Sequence, residues 1–505
     1  NGSKIVVDAG ASNTPGSGEE AKPASANTAD TYIGKNSALA MSAQAVSGKQ
    51  AAVTFEKKHA TIYADDGAKV LLTADGLQSD QSIKLFADAD GTVTLETAGN
   101  KNLAVQSVNG LFEVEGGLAA GEIGDVKLTM NQSVGNTLYH DASDPIRETI
   151  NAYNNTNGTN ELLNKIKYES KTGRDADSAA RLAAMGGAVN AALTANRTTT
   201  DAVAARMGVG VGANAEGKNI SSLGSTRGSV WATPVYTRGD SKGMEAQGQS
   251  YGNKTDMYGM AVGADYRVSR DVEVGAVVNV GKGEVTGKEL ASNVSNDVSS
   301  MGAGVYSRFK NGDTSVVGDL TYTQADNDLS SNLDVAPDRK LSAAADTKVI
   351  SAGVTAKRDF NVNGYEVSPH AGARFSHIKT SGHDVKMGDN VVASYSSEAQ
   401  NVVSIPVGVT VSRNINSNGW NIKPSADVHV TANLGDTSSK GEVSWTGTKD
   451  LRTNVETEVI DRVTYGAAVG VSATRGNFTA GAGVSYNGSS SSSEVAVGAN
   501  VRYDF

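Results

Sequence analysis

From Ser229 to Phe505 the chain is written in alternation. Val272, Val274, Ala276, Val278 and Val280 alternate with Glu273, Gly275, Val277, Asn279 and Gly281, and only Val277 breaks the rule. Trp420, Ile422, Pro424, Ala426, Val428 and Val430 alternate with Asn421, Lys423, Ser425, Asp427, His429 and Thr431; Val495, Val497, Ala499, Val501, Tyr503 and Phe505 alternate with Glu494, Ala496, Gly498, Asn500, Arg502 and Asp504. A period of two sends successive side chains to opposite faces of a strand, so each segment has one apolar and one polar face. Twelve such segments are readable, near 229–239, 255–267, 272–284, 299–309, 314–325, 347–359, 364–379, 399–413, 419–434, 461–474, 477–487 and 493–505.

Their connections are sorted. Joins after the even-numbered segments are tight, at 268–271, 310–313, 360–363, 414–419 and 475–476; those after the odd-numbered ones are long and polar, as at 326–346 and 435–461. A soluble sandwich has no reason to place every short turn at one end, whereas an outer-membrane barrel has an even strand number, short periplasmic turns and long extracellular loops. The expected fold is therefore all-β: a twelve-stranded antiparallel outer-membrane barrel. No run of about 18 apolar residues offers a spanning helix instead. In lipid every backbone polar group must be paired, so the sheet must close. Twelve strands about 4.8 Å apart and tilted about 40° give a ring about 24 Å across, with room for one helix. The residues read as inward, Gly275, Asn279, Gly302, Gly304, Gly353, Gly372, Gly408, Gly481, Gly483 and Gly498, are small or polar and leave that bore open.

Before the barrel the pattern differs. Residues 1–35 hold Pro15 and Pro23 among Ala, Gly, Ser and Thr, a lead-in that buries too little to fold alone. The sequence begins Asn1-Gly2-Ser3-Lys4 without an apolar leader, so any secretory signal was removed or this is a fragment. In 36–143, short β-type runs such as Val53-Thr54-Phe55, Thr61-Ile62-Tyr63 and Val93-Thr94-Leu95 recur at short, fairly even intervals. Asp66-Gly67, Asp75-Gly76, Asp90-Gly91 and Asn109-Gly110 separate them, pairs that enter positive-φ turns cheaply. A β-solenoid and a hairpin-built sandwich both fit. Residues 144–173 read as a connector of two short helices around the Asn/Gly/Thr stretch 154–160.

In 174–228 a longer helix is expected from Ala176 to Met207, ended by Gly208, with alanine, the best helix former, as its commonest residue. Leu182, Met185, Val189 and Leu193 form one thin apolar stripe; the other faces are Ala, Gly, Asn, Thr and Arg. Such a slim helix suits a narrow, wet space.

Other chemistry finds little support. Lys+Arg 45 against Asp+Glu 55 gives a net charge of −10, which argues against nucleic acid, and the absence of cysteine excludes disulfides and thiol chemistry. Gly248-Gln249-Ser250-Tyr251-Gly252 has the G-x-S-x-G spacing, but a nucleophile elbow needs a strand before Ser250 and a helix after it, and this is a loop between strands. Gly212 to Lys218 nearly spells a phosphate loop, yet Asn219 replaces the magnesium-binding hydroxyl; it reads as a hinge. Asp88-Ala89-Asp90-Gly91 lacks the glutamate of a calcium loop and reads as a turn. His370 and His429 fall in the inward set and are expected to face water; no cofactor or metal site is expected.

The helix 177–207, the strand Ser229-Val230-Trp231-Ala232-Thr233-Pro234, Gly263-Ala264-Asp265 in the second segment, and Val501-Arg502-Tyr503-Asp504-Phe505, all behind a β-rich N-terminal part, together resemble monomeric autotransporters of type V secretion. The resemblance covers about residues 175–505. It implies a pore plugged by the linker helix, with Leu182, Met185, Val189, Asn190, Leu193 and Asn196 on the plug, and export of the N-terminal passenger to the cell surface without enzymatic activity. It implies an assembly signal at Val501, Tyr503 and Phe505 read by the barrel-assembly machinery, periplasmic chaperones as partners, and host ligands if the passenger is an adhesin. Some members cleave their passenger by cyclisation of a helix asparagine; Asn190 and Asn196 are the candidates, although the Asn-Asn pair of the cleaving subgroup is missing.

Overall fold

The computed structural model describes residues 172–209 and 227–505 throughout, and before them residues 6–7, 29–42, 51, 53–56, 58–73, 81–90, 93–108, 112–115, 118–122, 125–130, 139–154, 156 and 158–169. Twelve strands close one antiparallel barrel: β1 Gly228–Ser241, β2 Ser250–Arg267, β3 Val272–Glu289, β4 Val294–Asn311, β5 Thr314–Asn332, β6 Lys340–Arg358, β7 Tyr365–Thr380, β8 Gln400–Ser412, β9 Trp420–Gly435, β10 Val463–Arg475, β11 Phe478–Gly488 and β12 Ser492–Asp504. Each contains the core of a segment legible from its alternation. Val278, Val280, Met301, Val305, Val428 and Val469 are outward and exposed, and Asn279 is buried on the lumen side. Tyr258 and Tyr266 on β2, and Phe478 and Tyr486 on β11, bracket this apolar band. The two members of each pair are eight residues apart. At about 3.4 Å per residue and about 40° tilt, that separation spans about 21 Å, close to the apolar height of an outer-membrane barrel.

Four of the five tight joins turn on residues in the left-handed region: Gly312, Asn363-Gly364, Asn418-Gly419 and Gly476. At the other end the strands run further than the alternation suggested. The stretch 326–346, expected as loop, pairs from Asp326↔Asp346 up to Asn332↔Lys340. Above the lipid the outward face meets water and the inward face, though buried, mixes Asn327 and Ser331 with Leu329, so the apolar alternation stops while ladder hydrogen bonding continues. The stretch 435–461 holds a hairpin, Ser438–Trp445 with Arg452–Glu458, which pairs through Ser394↔Ser444 with a second hairpin, His383–Met387 and Asn390–Ser397. The long loops are thus a β-structured cap.

The ring closes between β1 and β12, from Ser229↔Asp504 to Ser241↔Ser492. This ladder skips Thr233 and Pro234, although both stay paired to β2. Proline has no N–H to give, so it weakens the seam where it sits.

The N-terminal part stacks in parallel. Thr31–Ile33, Ala60–Ala64 and Val93–Thr97 form one sheet, Ala38–Ser42, Lys69–Thr73 and Ala104–Ser107 a second, and Val53–Thr54 with Phe86–Ala87 a third. Thr31 pairs with Ile62, Ile62 with Leu95 and Val53 with Phe86, so the step along the chain is nearly constant. Those are successive coils of a solenoid over buried Ile62, Val70, Leu72, Val93 and Leu95, which decides against hairpins there. Phe112–Glu115, Asp125–Met130 and Gln81–Lys84 form an antiparallel sheet beyond them. Gly67 turns in the left-handed region; Asp75-Gly76, Gly91, Asn109-Gly110 and most of the lead-in 1–35 lie outside the described residues.

Five helices follow among the described residues: α1 Asp144–Asn154, α2 Glu161–Glu169, α3 Arg174–Ala180, α4 Leu182–Met185 and α5 Ala188–Met207. The single helix expected over 176–207 is therefore broken twice. Arg181 leaves helical geometry at φ −123° and Gly187 enters the left-handed region at φ 67°. Gly208, at φ 74°, stops α5 as the sequence indicated. The hinge expected at 212–218 lies outside the described residues.

Candidate functional site: the plugged lumen

α5 runs inside the barrel, against β1–β6. Ala191, Ala192 and Ala195 pack on Met257, Val285, Val298, Ala325 and Val349. One level further, Ala202, Val203 and Met207 pack on Trp231, Ala261, Val277, Tyr306 and Val317. Alanine is what lets a helix approach a sheet this closely. Val277, the exception to alternation, is an inward residue that meets the plug. Two glycines seat the large rings of this cluster: a Cβ on Gly263 would stand 2.3 Å from the Trp231 indole, and one on Gly275 2.2 Å from the Tyr306 ring. Trp231 Nε1 donates to the Tyr306 hydroxyl at 2.9 Å, so neither buried polar tip is orphaned.

The polar grip has three levels. At the tight-turn end Arg206 is wholly buried. Its Nε donates to Asp265 Oδ2 at 2.7 Å. Its Nη2 donates to Asp265 Oδ1 at 2.6 Å, which completes a two-pronged pair. Arg308 pairs with Glu273 and donates to the Met207 carbonyl at 3.3 Å, answering the negative end of α5. Midway, Asn196 Nδ2 donates to Thr321 Oγ1 at 2.9 Å and Thr323 Oγ1 at 3.2 Å, and Asn279 Nδ2 donates to the Ala195 carbonyl at 2.9 Å. Nearer the long loops, Asn296 Nδ2 donates to the Gly186 carbonyl at 2.9 Å. A Cβ on Gly186 would stand 2.4 Å from Leu329 Cδ2, so the break in the helix is also a point of very close approach to the wall.

At the long-loop mouth Arg181 is buried among Asp177, Ser143 Oγ at 2.9 Å, Gln247 Oε1 at 2.5 Å and Thr457 Oγ1 at 3.1 Å, the last two from cap loops. Asp177 Oδ2 accepts from the Ser143 amide at 2.6 Å. Asp175 Oδ2 accepts from the Val335 amide at 2.9 Å in the β5–β6 loop; burial pushes its carboxyl up to about 6. The chain thus leaves the lumen at residue 174 on the long-loop side.

Beside the packed wall lies a cavity of about 410 Å³, lined by Asn190, Leu193, Arg197 and Asp201 of α5, by β6–β12 and by the long-loop ends of β1 and β2. Arg197 pairs with Glu494 at 2.8 Å, and Arg374 with Asp319 through two contacts of 2.8 Å. Asp427 accepts from Thr410 Oγ1 at 2.6 Å between His370 Nε2 at 2.8 Å and His429 Nδ1 at 2.9 Å. His370 and His429 border this polar space. The plug side chains expected as one set therefore divide. Leu182, Met185 and Val189 are buried, Asn190 and Leu193 border the cavity, and Asn196 borders it while its amide is tied to β5.

Val501, Tyr503 and Phe505 all face outward and are about half exposed; the Phe505 ring covers Gly228, and its amide donates to the Gly228 carbonyl at 2.9 Å. Ser250 opens β2 and pairs with Glu245, so no helix follows it. Asp88 accepts from the Ala60 and Asp90 amides at 3.0 Å, as a turn residue does. No sequence pattern points to Arg181, Arg206, Arg308, Asn253 or Asn296; Asp265 is legible as part of Gly263-Ala264-Asp265.

A family model, the autotransporter beta-domain, matches residues 230–487, half of the chain. Among solved structures the chain is similar to the translocator domain of the autotransporter NalP from Neisseria meningitidis, at 15% identity over 64% of this chain and 100% of that one, TM-score 0.47. It is similar to the beta domain of the Bordetella autotransporter BrkA, at 15% identity over 55% and 100%, TM-score 0.41, and to the transport unit of AIDA-I from Escherichia coli, at 13% identity over 61% and 97%, TM-score 0.40. No curated protein sequence matches the chain. Barrels of the matched family sit in the bacterial outer membrane and are transport domains, and with the family model spanning β1 to β11 this chain belongs to the autotransporter beta-domain family.

Proposed function

We propose that the barrel exports the chain's own N-terminal part to the cell surface, with α5 as the finished plug. The observation that carries this reading is the direction of the threading. Met207 lies by the tight turns and Arg181 by the long loops, so a chain held this way has its N-terminal part on the outer side. Unfolded export through a bore that fits one helix needs periplasmic chaperones beforehand, and insertion needs the barrel-assembly machinery, for which Val501 and Tyr503 on β12 and Phe505 just after it are the recognition residues; one chain makes one complete monomeric pore. The passenger stays tethered, because the Asn196 amide is held by Thr321 and Thr323 instead of lying against its own carbonyl. Mass spectrometry of outer-membrane fractions tests this: an intact chain containing residues 36–505 is expected, and a barrel beginning just after Asn190 or Asn196 would overturn the tether. Surface labelling of residues 36–143 in intact cells tests export, and labelling only after lysis would overturn it.

A second reading, that the exported segment is an adhesin, is supported by its stacked coils, which present a continuous lateral face to host ligands or to another copy. Cells displaying it are expected to bind host cells or one another; absence of both leaves the carrier role alone.

A further inference from the structure

The barrel grips its plug by the backbone, and it does so with side chains that have unused capacity. Asn279 and Asn296, on β3 and β4, each donate an amide N–H to a main-chain carbonyl of the plug, at Ala195 and Gly186. Asn253, on β2, lies over the helix break, its Nδ2 3.2 Å from where a Cβ on Gly187 would stand. All three are more than nine-tenths buried. Yet Asn279 Oδ1, Asn296 Oδ1 and Asn253 Nδ2 have no hydrogen-bond partner among the described residues. A buried amide half satisfied in this way is a poor match to a helix, whose N–H groups are consumed internally. It suits an extended chain, which offers an N–H and a C=O at every residue, whatever the side chains; carboxamides present both complementary groups.

The spacing fits such a ligand. Asn296 is opposite Val285 on β3, six residues from Asn279 along the strand. At about 40° tilt that is about 16 Å along the bore, about five residues of extended chain. The neighbouring wall is Ala261, Gly302 and Val285, small or apolar, so nothing there reads a passing side chain by charge.

We propose that Asn253, Asn279 and Asn296 form a track that binds the main chain of the passenger in extended form during export, and that the plug occupies this track only afterwards. The proposal rests on the export reading above and names what that lumen recognises: the polypeptide backbone, independent of sequence.

The test uses the full chain in the outer membrane of a Gram-negative host. Display of residues 36–143 is measured by surface labelling and divided by the amount of folded barrel, read from its heat-modifiable mobility. N279L with N296L removes two amides while keeping the branched heavy-atom skeleton, and display per folded barrel is expected to fall at least about fivefold, the effect of losing one net hydrogen bond. N279Q with N296Q, which keeps both amides, is expected to restore most of it. If the leucine pair folds poorly, N253A with N279A is scored by the same ratio. Display within twofold of the parent in folded leucine or alanine barrels overturns the track. So does normal display combined with a raised bilayer current, which makes these residues anchors of the finished plug alone. A parent chain that folds but displays nothing would overturn the export reading itself, which separates the two failures.

Discussion

The two walls of the lumen treat the plug in opposite ways. Along β1–β5 the alanines of α5 lie on valines, Trp231 and Tyr306, with ion pairs buried completely at the tight-turn end. Along β7–β12 the same helix turns Asn190, Leu193, Arg197 and Asp201 toward a cavity crossed by partly exposed charge pairs. One helix thus has a dry, shape-fitted face and a wet, loosely contacted one. The bore is wider than the helix that fills it, and the excess is collected on one side.

The largest expected difference between the walls concerns charge. Arg206→Ala strands Asp265 in a site closed to water, which costs about 3–5 kcal/mol for a broken buried pair, while Arg374→Ala on the wet side removes a partly exposed pair at about 1 kcal/mol or less. Bilayer currents and the temperature at which the folded barrel loses its gel mobility measure both; equal effects would break the comparison. Next comes packing. Ala195→Leu overfills the dry face and is expected to cost about 1–3 kcal/mol and raise the open-pore current, whereas Asn190→Leu projects into the cavity and is expected to leave the current unchanged.

The mouth sharpens the contrast with pH. The Asp175 carboxyl, raised by burial from 3.8 to about 6, is more readily protonated when docked than when free. Its contribution to docking is full below about 3.8 and is lost as pH rises through about 6. Plug openings, counted as bilayer current bursts, are therefore expected to be more frequent at neutral pH than at mildly acidic pH, and Asp175→Asn to remove that dependence. The effect is modest because the Val335 amide and Arg174 oppose burial. Smallest of all, Asn190→Ala is expected to shift stability by less than about 0.5 kcal/mol.

The lipid-facing half of this design is legible in the sequence, because hydrocarbon on one face and water on the other force the alternation that Val272 to Val280 displays. What lies beyond the lipid is not. Asp326 to Asn332 form strand in a stretch that is polar nearly throughout, so their pairing leaves no periodic mark. The stop after Met185 was hidden because a glycine inside an alanine-rich run is compatible with a helix; only the approach of Leu329, far along the chain, makes Gly186 and Gly187 a corner. Arg206 and Asp265 stand far apart in sequence, and nothing local announces that they will meet. The motif Gly263-Ala264-Asp265 pointed to the right place through likeness, and the structure supplies its physics: the glycine houses an indole and the aspartate holds the plug.

The gap at Thr233 and Pro234 in the β1–β12 ladder has a kinetic meaning. A cylinder assembled from a hairpin meander has eleven joins between sequence neighbours, formed early at low entropic cost, and a twelfth whose partners are separated by the whole domain. Omitting bonds from that last join lowers the barrier to unlatching it; the β7–β8 ladder has a matching gap at Pro406, but its strands are near neighbours along the chain, so the seam at Pro234 is the costlier of the two to close again.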